Sequence, residues 1–84
     1  MKPVDQPAGV EARFDADGSI TPLSFTEAGR RHMVTSVGRS WDVAGEGRHV
    51  LVMDERGRVV ELLLRVPALT WRVVAVADVR EASA

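Results

Sequence analysis

The sequence predicts an all-β protein: an antiparallel meander of five to six strands curled into a small SH3-like half-open barrel. Three observations carry that reading. Val is the commonest residue, and its branched side chain suits a pleated strand better than a helix. Residues 59–66 alternate strictly, with Val60, Leu62, Leu64 and Val66 on one parity and Val59, Glu61, Leu63 and Arg65 on the other. Asp54-Glu55-Arg56-Gly57 and Asp15-Ala16-Asp17-Gly18 are hairpin-turn signals, with glycine able to take positive φ.

The elements follow in order. Residues 1–9 hold two prolines and a glycine and read as a flexible N-terminal tail. Val10 to Phe14 alternates, with Val10, Ala12 and Phe14 facing inward. Ile20 to Thr26 is a second strand, placed at an edge by Pro22, with Leu23 and Phe25 pointing the same way. Arg30 to Val37 is a third, after a turn at Glu27-Ala28-Gly29. A helix over 25–37 competes, because Ser24-Phe25-Thr26-Glu27 fits a capping box. Gly29 and the β-branched Val34, Thr35 and Val37 favour the strand.

Gly38 to Gly47 reads as a loop around Trp41. His49 to Met53, the run ending at Val66, and Thr70 to Val79 complete the set. Trp71 and Val73 share a parity that Val76 does not, which predicts a bulge between them. The domain therefore spans 10–79, with 80–84 as a C-terminal tail. The second face also carries apolar residues: Val59, Leu63, Val74, and Leu51 or Val50. The sheet must curl to hide them, or a dimer must cover them.

Composition limits function. The 84 residues carry 11 basic and 12 acidic side chains, net −1, which suits neither a nucleic-acid coat nor a membrane binder. There is no cysteine and hence no thiolate chemistry. No apolar run approaches the roughly 20 residues of a membrane helix, so a cytoplasmic location is expected. His32, Asp42, Glu46 and His49 lack zinc-motif spacing. The Asp15–Ser19 run lacks the glycine and glutamate positions of a calcium loop. No serine-nucleophile elbow, dinucleotide fingerprint or phosphate-binding glycine loop occurs. We expect no enzyme, no cofactor and no metal, a metal-dependent enzyme being the third reading.

One stretch stands out. Residues 28–50 carry a net charge of +2 and residues 1–27 carry −3. Arg30, Arg31, His32, Arg39, Trp41, Arg48 and His49 form the candidate binding surface, since arginines beside an aromatic can grip phosphates and stack a base. Alternatively, Trp41 belongs to the core and the arginines solvate strand edges.

Pro22-Leu23-Ser24-Phe25, Gly29-Arg30-Arg31-His32, Trp41, Gly57-Arg58-Val59-Val60-Glu61-Leu62 and Trp71-Arg72-Val73 occur in an order with a known counterpart. Over residues 10–79 the chain resembles a family of short bacterial β-rich domains of unknown function. That family is also seen as a C-terminal appendage of Y-family DNA-polymerase-like proteins of the mutasome type. His32 stands where that pattern has an aromatic. The resemblance implies proximity to DNA metabolism and supplies no catalytic residue. The expected function is a non-enzymatic interaction module that binds a protein partner or itself as a dimer. The alternative is a nucleic-acid-associated accessory domain.

Overall fold

The computed structural model describes residues 1–78 and contains six strands: β1 (Lys2–Phe14), β2 (Ile20–Glu27), β3 (Arg30–Val43), β4 (Gly47–Asp54), β5 (Arg58–Arg65) and β6 (Thr70–Asp78). Each pairs antiparallel with the next, and β1 pairs with β6, so the barrel is closed. No helix among the described residues is long and apolar enough to cross a membrane. The expected tail at 80–84 lies outside the described residues.

Closure corrects the half-open barrel, and its cause lies in residues 2–9. Read from their prolines as a tail, they form the first half of β1, with Lys2 opposite Val76, Pro3 opposite Ala75, and Ala8 opposite Trp71. Proline lacks an N–H donor, and the ladder slips between Pro3 and Gln6. An ion pair from Arg72 to Asp5 adds a side-chain tie across this seam. At Gly9 the strand changes partner from β6 to β2. Gly9 N–H donates to Thr26 Oγ1 at 3.0 Å, and a Cβ there would lie 2.9 Å from that oxygen.

β3 makes a second corner. Arg30 to Met33 pairs with β2 and Val34 to Val43 with β4, with register shifts at Val34/Ser36 and Val37/Ser40. The expected loop at 38–47 is therefore mostly strand. The glycine there that a loop requires is Gly45, in the three-residue turn before Gly47 (φ 81°). The strand reading of 25–37 holds. Ala28 and Gly29, at φ 51° and 77°, make the two-residue hairpin turn that the right-handed strand twist favours.

The core is Phe25, Val50, Val52, Val60, Leu62 and Val73, with Ala8, Val10, Val34, Trp71 and Val76 packed on it. The predicted bulge is present: Leu62 pairs with Val73 and Glu61 with Ala75, leaving Val74 extra. Two inward expectations change. Leu23 is the unpaired residue of a bulge opposite Glu11/Ala12, so it stays exposed while Pro22 turns in. Phe14 lies past the packed layer and is 61% exposed.

Candidate functional site

The barrel has two ends of opposite character. One is an open mouth, built where β1, β3 and β5 finish and β2, β4 and β6 begin. Phe14, Ile20, Val43, Leu64, Val66 and Leu69 line a concavity of about 780 Å³. Leu64 is buried and forms part of its floor. The rim side chains Phe14, Val66 and Leu69 are 61%, 55% and 67% exposed. Leu69 holds a left-handed backbone, φ 57°, which is strained for a residue with a Cβ. Its N–H donates to Arg65 O at 2.8 Å, which fixes the turn.

Gly47 lets β4 enter this mouth beside β5. Its φ is 141°, and a Cβ there would lie 2.0 Å from the Leu64 carbonyl oxygen. The one charged pair in the lining is locked. Arg48 donates from Nε to Asp42 Oδ1 at 2.7 Å, from Nη2 to Asp42 Oδ2 at 3.1 Å, and from Nη1 to Gly18 O at 2.8 Å. Those bonds hold the Asp42 carboxyl below the usual carboxylate range and raise Arg48. They also tie the β3–β4 corner to the β1–β2 turn. In that turn the Ser19 hydroxyl and backbone N–H both bond Asp17, which lowers its carboxyl. The acidic run at 15–19 is thus a hydrogen-bonded turn.

The opposite end is filled by a buried polar network. Asp54 Oδ1 accepts the N–H groups of Arg56 and Arg58, each at 3.0 Å, and Oδ2 accepts Arg58 Nε at 2.8 Å. Arg58 Nη2 also donates to Glu27 Oε1 at 3.2 Å. Burial alone would raise the Asp54 carboxyl. The hydrogen bonds from Arg58 and Arg56 and the Arg58 charge outweigh it, so Asp54 sits below its ordinary value. Burial would lower Arg58, but Asp54 and Glu27 outweigh it in turn. His32 lies beside this network, buried and stacked on Phe25 with centroids 5.2 Å apart.

The structure does not gather the seven residues of the predicted surface. Arg30 and Arg31 begin β3 at the polar end, and Arg31 pairs with Glu11 at 3.5 Å. Arg39 lies nine positions along the same strand, roughly 30 Å away at full extension. Arg48 belongs to the mouth. His49 is buried on the outer face, Nδ1 2.7 Å from Glu61 Oε2 and Nε2 2.7 Å from Glu46 Oε1. Trp41 is half-buried, pairs with His49 across the ladder and stacks on it at 5.2 Å and 6°. Arg39 lies 5.4 Å from the indole centroid. Arg31, Arg48 and His49 therefore already face carboxylates, and the Trp41 ring already has two neighbours.

Sequence reasoning missed the mouth. Val66 reads from its parity as the inward-facing end of a strand, yet β5 ends at Arg65 and Val66 is exposed; Pro67-Ala68-Leu69 reads only as a strand break, and Phe14 reads as inward. Two large apolar residues flanking Pro67-Ala68 in a turn were the available signal. No protein-family model, curated protein or solved structure matches this chain.

Proposed function

We propose that this barrel is a protein-interaction module that receives an apolar side-chain cluster of a partner protein in its mouth. One observation carries the reading: three large apolar side chains, each more than half exposed, ring a single concavity with an apolar floor. Exposed apolar clusters of this kind mark interaction sites, and barrel mouths are a favoured place for them. Of the charged groups in the lining, Asp42 and Arg48 satisfy each other, Asp15 faces Arg13 and Glu46 faces His49, so the mouth offers an incoming group little unspent charge. This favours an apolar protein segment over a phosphate or a base. The module works by binding, without catalytic chemistry. The resemblance to mutasome-type appendages would place its partner in DNA metabolism.

A phage-displayed peptide library panned on the tag-free chain tests this. The expected result is a set of peptides sharing an apolar anchor, whose affinity falls at least about tenfold on Leu69→Asp, a loss of 1.4 kcal/mol or more. Loss of the same peptides on Phe14→Asp would place the anchor between the two rims. Peptides that bind Leu69→Asp unchanged, or no enrichment at all, would overturn the assignment. A mass that rises with concentration in light scattering, and falls back on Leu69→Asp, would replace the foreign partner with a second copy.

A further inference from the structure

We propose that His32, Asp54 and Glu55 form a mononuclear site for a divalent transition cation of the zinc class, at the end of the barrel opposite the apolar mouth. The three side chains each present one ligand atom, all within 4.8 Å of one another. His32 Nδ1 lies 3.3 Å from Glu55 Oε1 and 3.9 Å from Asp54 Oδ2. Donor atoms about 2.0–2.2 Å from a tetrahedral ion stand roughly 3.3 Å apart, so small adjustments close this triangle around one ion.

The independent observation is the imidazole itself. The His32 side chain is only 6% exposed, yet Nδ1 is buried with no hydrogen-bond partner. The nearby Glu55 oxygen is out of line for a hydrogen bond. A buried ring nitrogen without a partner is costly and calls for a reason. A cation between Nδ1 and the two carboxylates supplies one.

Asp54 has the matching capacity. A carboxylate offers about four acceptor positions, two on each oxygen. Oδ1 already accepts two backbone N–H groups, and Oδ2 accepts one bond from Arg58. One position on Oδ2 is left, on the oxygen nearer His32 Nδ1. The Arg58 bond orients the carboxylate, as hydrogen bonds to metal-binding carboxylates commonly do. Glu27 Oε1, 3.9 Å from Nε2, lies on the side where metal-bound histidines usually donate their other N–H to a carboxylate.

Charge points the same way. Asp54, Glu55, Glu27 and Asp78 stand at this end with the guanidinium groups of Arg56 and Arg58, and a divalent ion balances the remainder. One imidazole among so few oxygens suits zinc, cobalt or nickel better than calcium or magnesium, which require six or more oxygen ligands or retain their waters. Glu55 is 40% exposed and gives the ion a way in. Its backbone N–H is held by Met33 O at 3.1 Å, so the turn keeps it beside His32.

The test titrates the tag-free chain with Co²⁺, read by visible absorption, and with Zn²⁺, read by calorimetry. The expected result is one equivalent bound, with ligand-field bands of a four- or five-coordinate ion and a shift of the His32 ring nitrogens in NMR. Glu55→Gln, on an exposed turn, should keep the circular-dichroism spectrum and melting temperature and lose at least about tenfold in affinity. Three results would overturn the site: no saturable binding by about 1 mM, the weak end of protein cation sites; equal binding by Glu55→Gln; or a response of the His49 ring in place of His32.

Discussion

The two ends of the barrel are closed by the same kind of connection and finish differently. At the polar end the hairpins are short, Ala28–Gly29 and Glu55–Gly57, and they hold Glu27, Asp54 and Arg58 close over the opening. At the mouth the turns are 15–19, 44–46 and 66–69, the first and last of them longer. There the exposed side chains are Phe14, Val66 and Leu69. The plugged end joins Glu27, Asp54 and Arg58 to one another, which stabilises the fold, and leaves His32 Nδ1 without a hydrogen bond. The open end retains apolar surface that no other described residue covers, which is what a binding site requires.

Breaking the plugged end should have the largest effect. Asp54→Ala removes a fully buried carboxylate, leaving the half-buried Arg58 with Glu27 and two backbone N–H groups without their acceptor. A loss of about 3–5 kcal/mol is expected in urea unfolding, the usual cost of removing one partner from a buried charged pair. A loss under about 1 kcal/mol, the range of exposed pairs, would mean the network is solvated after all. The same carboxylate sets the acid response. Its folded value lies below the ordinary 3.8. Its contribution is therefore fully present above that value and disappears as pH falls through the lower folded one. Stability of the parent chain should fall below about pH 4, with a shallower fall in Asp54→Asn. Parallel acid profiles for the two proteins would assign the acid loss to other carboxylates.

This contrast explains what was readable in the sequence. Strand order, the 54–57 hairpin and the bulge near Val74 followed from alternation and turn chemistry, which are local. Val60 and Leu62 share one parity of the alternating run, and the structure puts both in the core with Val73. Closure was not readable, because Pro3 and Pro7 argue locally for a tail while pairing with β6 depends on residues about seventy positions away. Gly38 suggests a loop for an equally local reason, yet β3 absorbs it in the register shift between Val37 and Ser40. The seven residues of the cationic stretch are dispersed for a different reason, only Arg39, Trp41 and His49 meeting. Net charge by segment says nothing of pairing: Glu11, Asp42 and Glu61 from other strands, and Glu46 from the turn before β4, meet Arg31, Arg48 and His49. His32 was grouped with Asp42, Glu46 and His49, whereas the fold places it beside Asp54 and Glu55. Sequence distance hid the second set: twenty-two positions and the β3–β4 hairpin separate them.

The smallest expected effect sharpens the comparison most, because its sign separates architecture from function. Leu69→Gly removes a bulky exposed side chain from a backbone at φ 57° that glycine adopts freely. Left-handed geometry costs a residue with a Cβ about 1–2 kcal/mol. The extra freedom of glycine in the unfolded chain returns roughly 0.5–1 kcal/mol of that gain. The net change is a stabilisation of up to about 1 kcal/mol, or about 4–8 °C in melting temperature for a domain of this size. Binding of any mouth-selected peptide should weaken in the same variant. A residue kept in strain at the expense of stability, whose removal impairs only binding, belongs to a site. A drop in melting temperature on Leu69→Gly would instead make this leucine part of the packing, and the mouth would lose the strained anchor on which its reading as a docking surface leans.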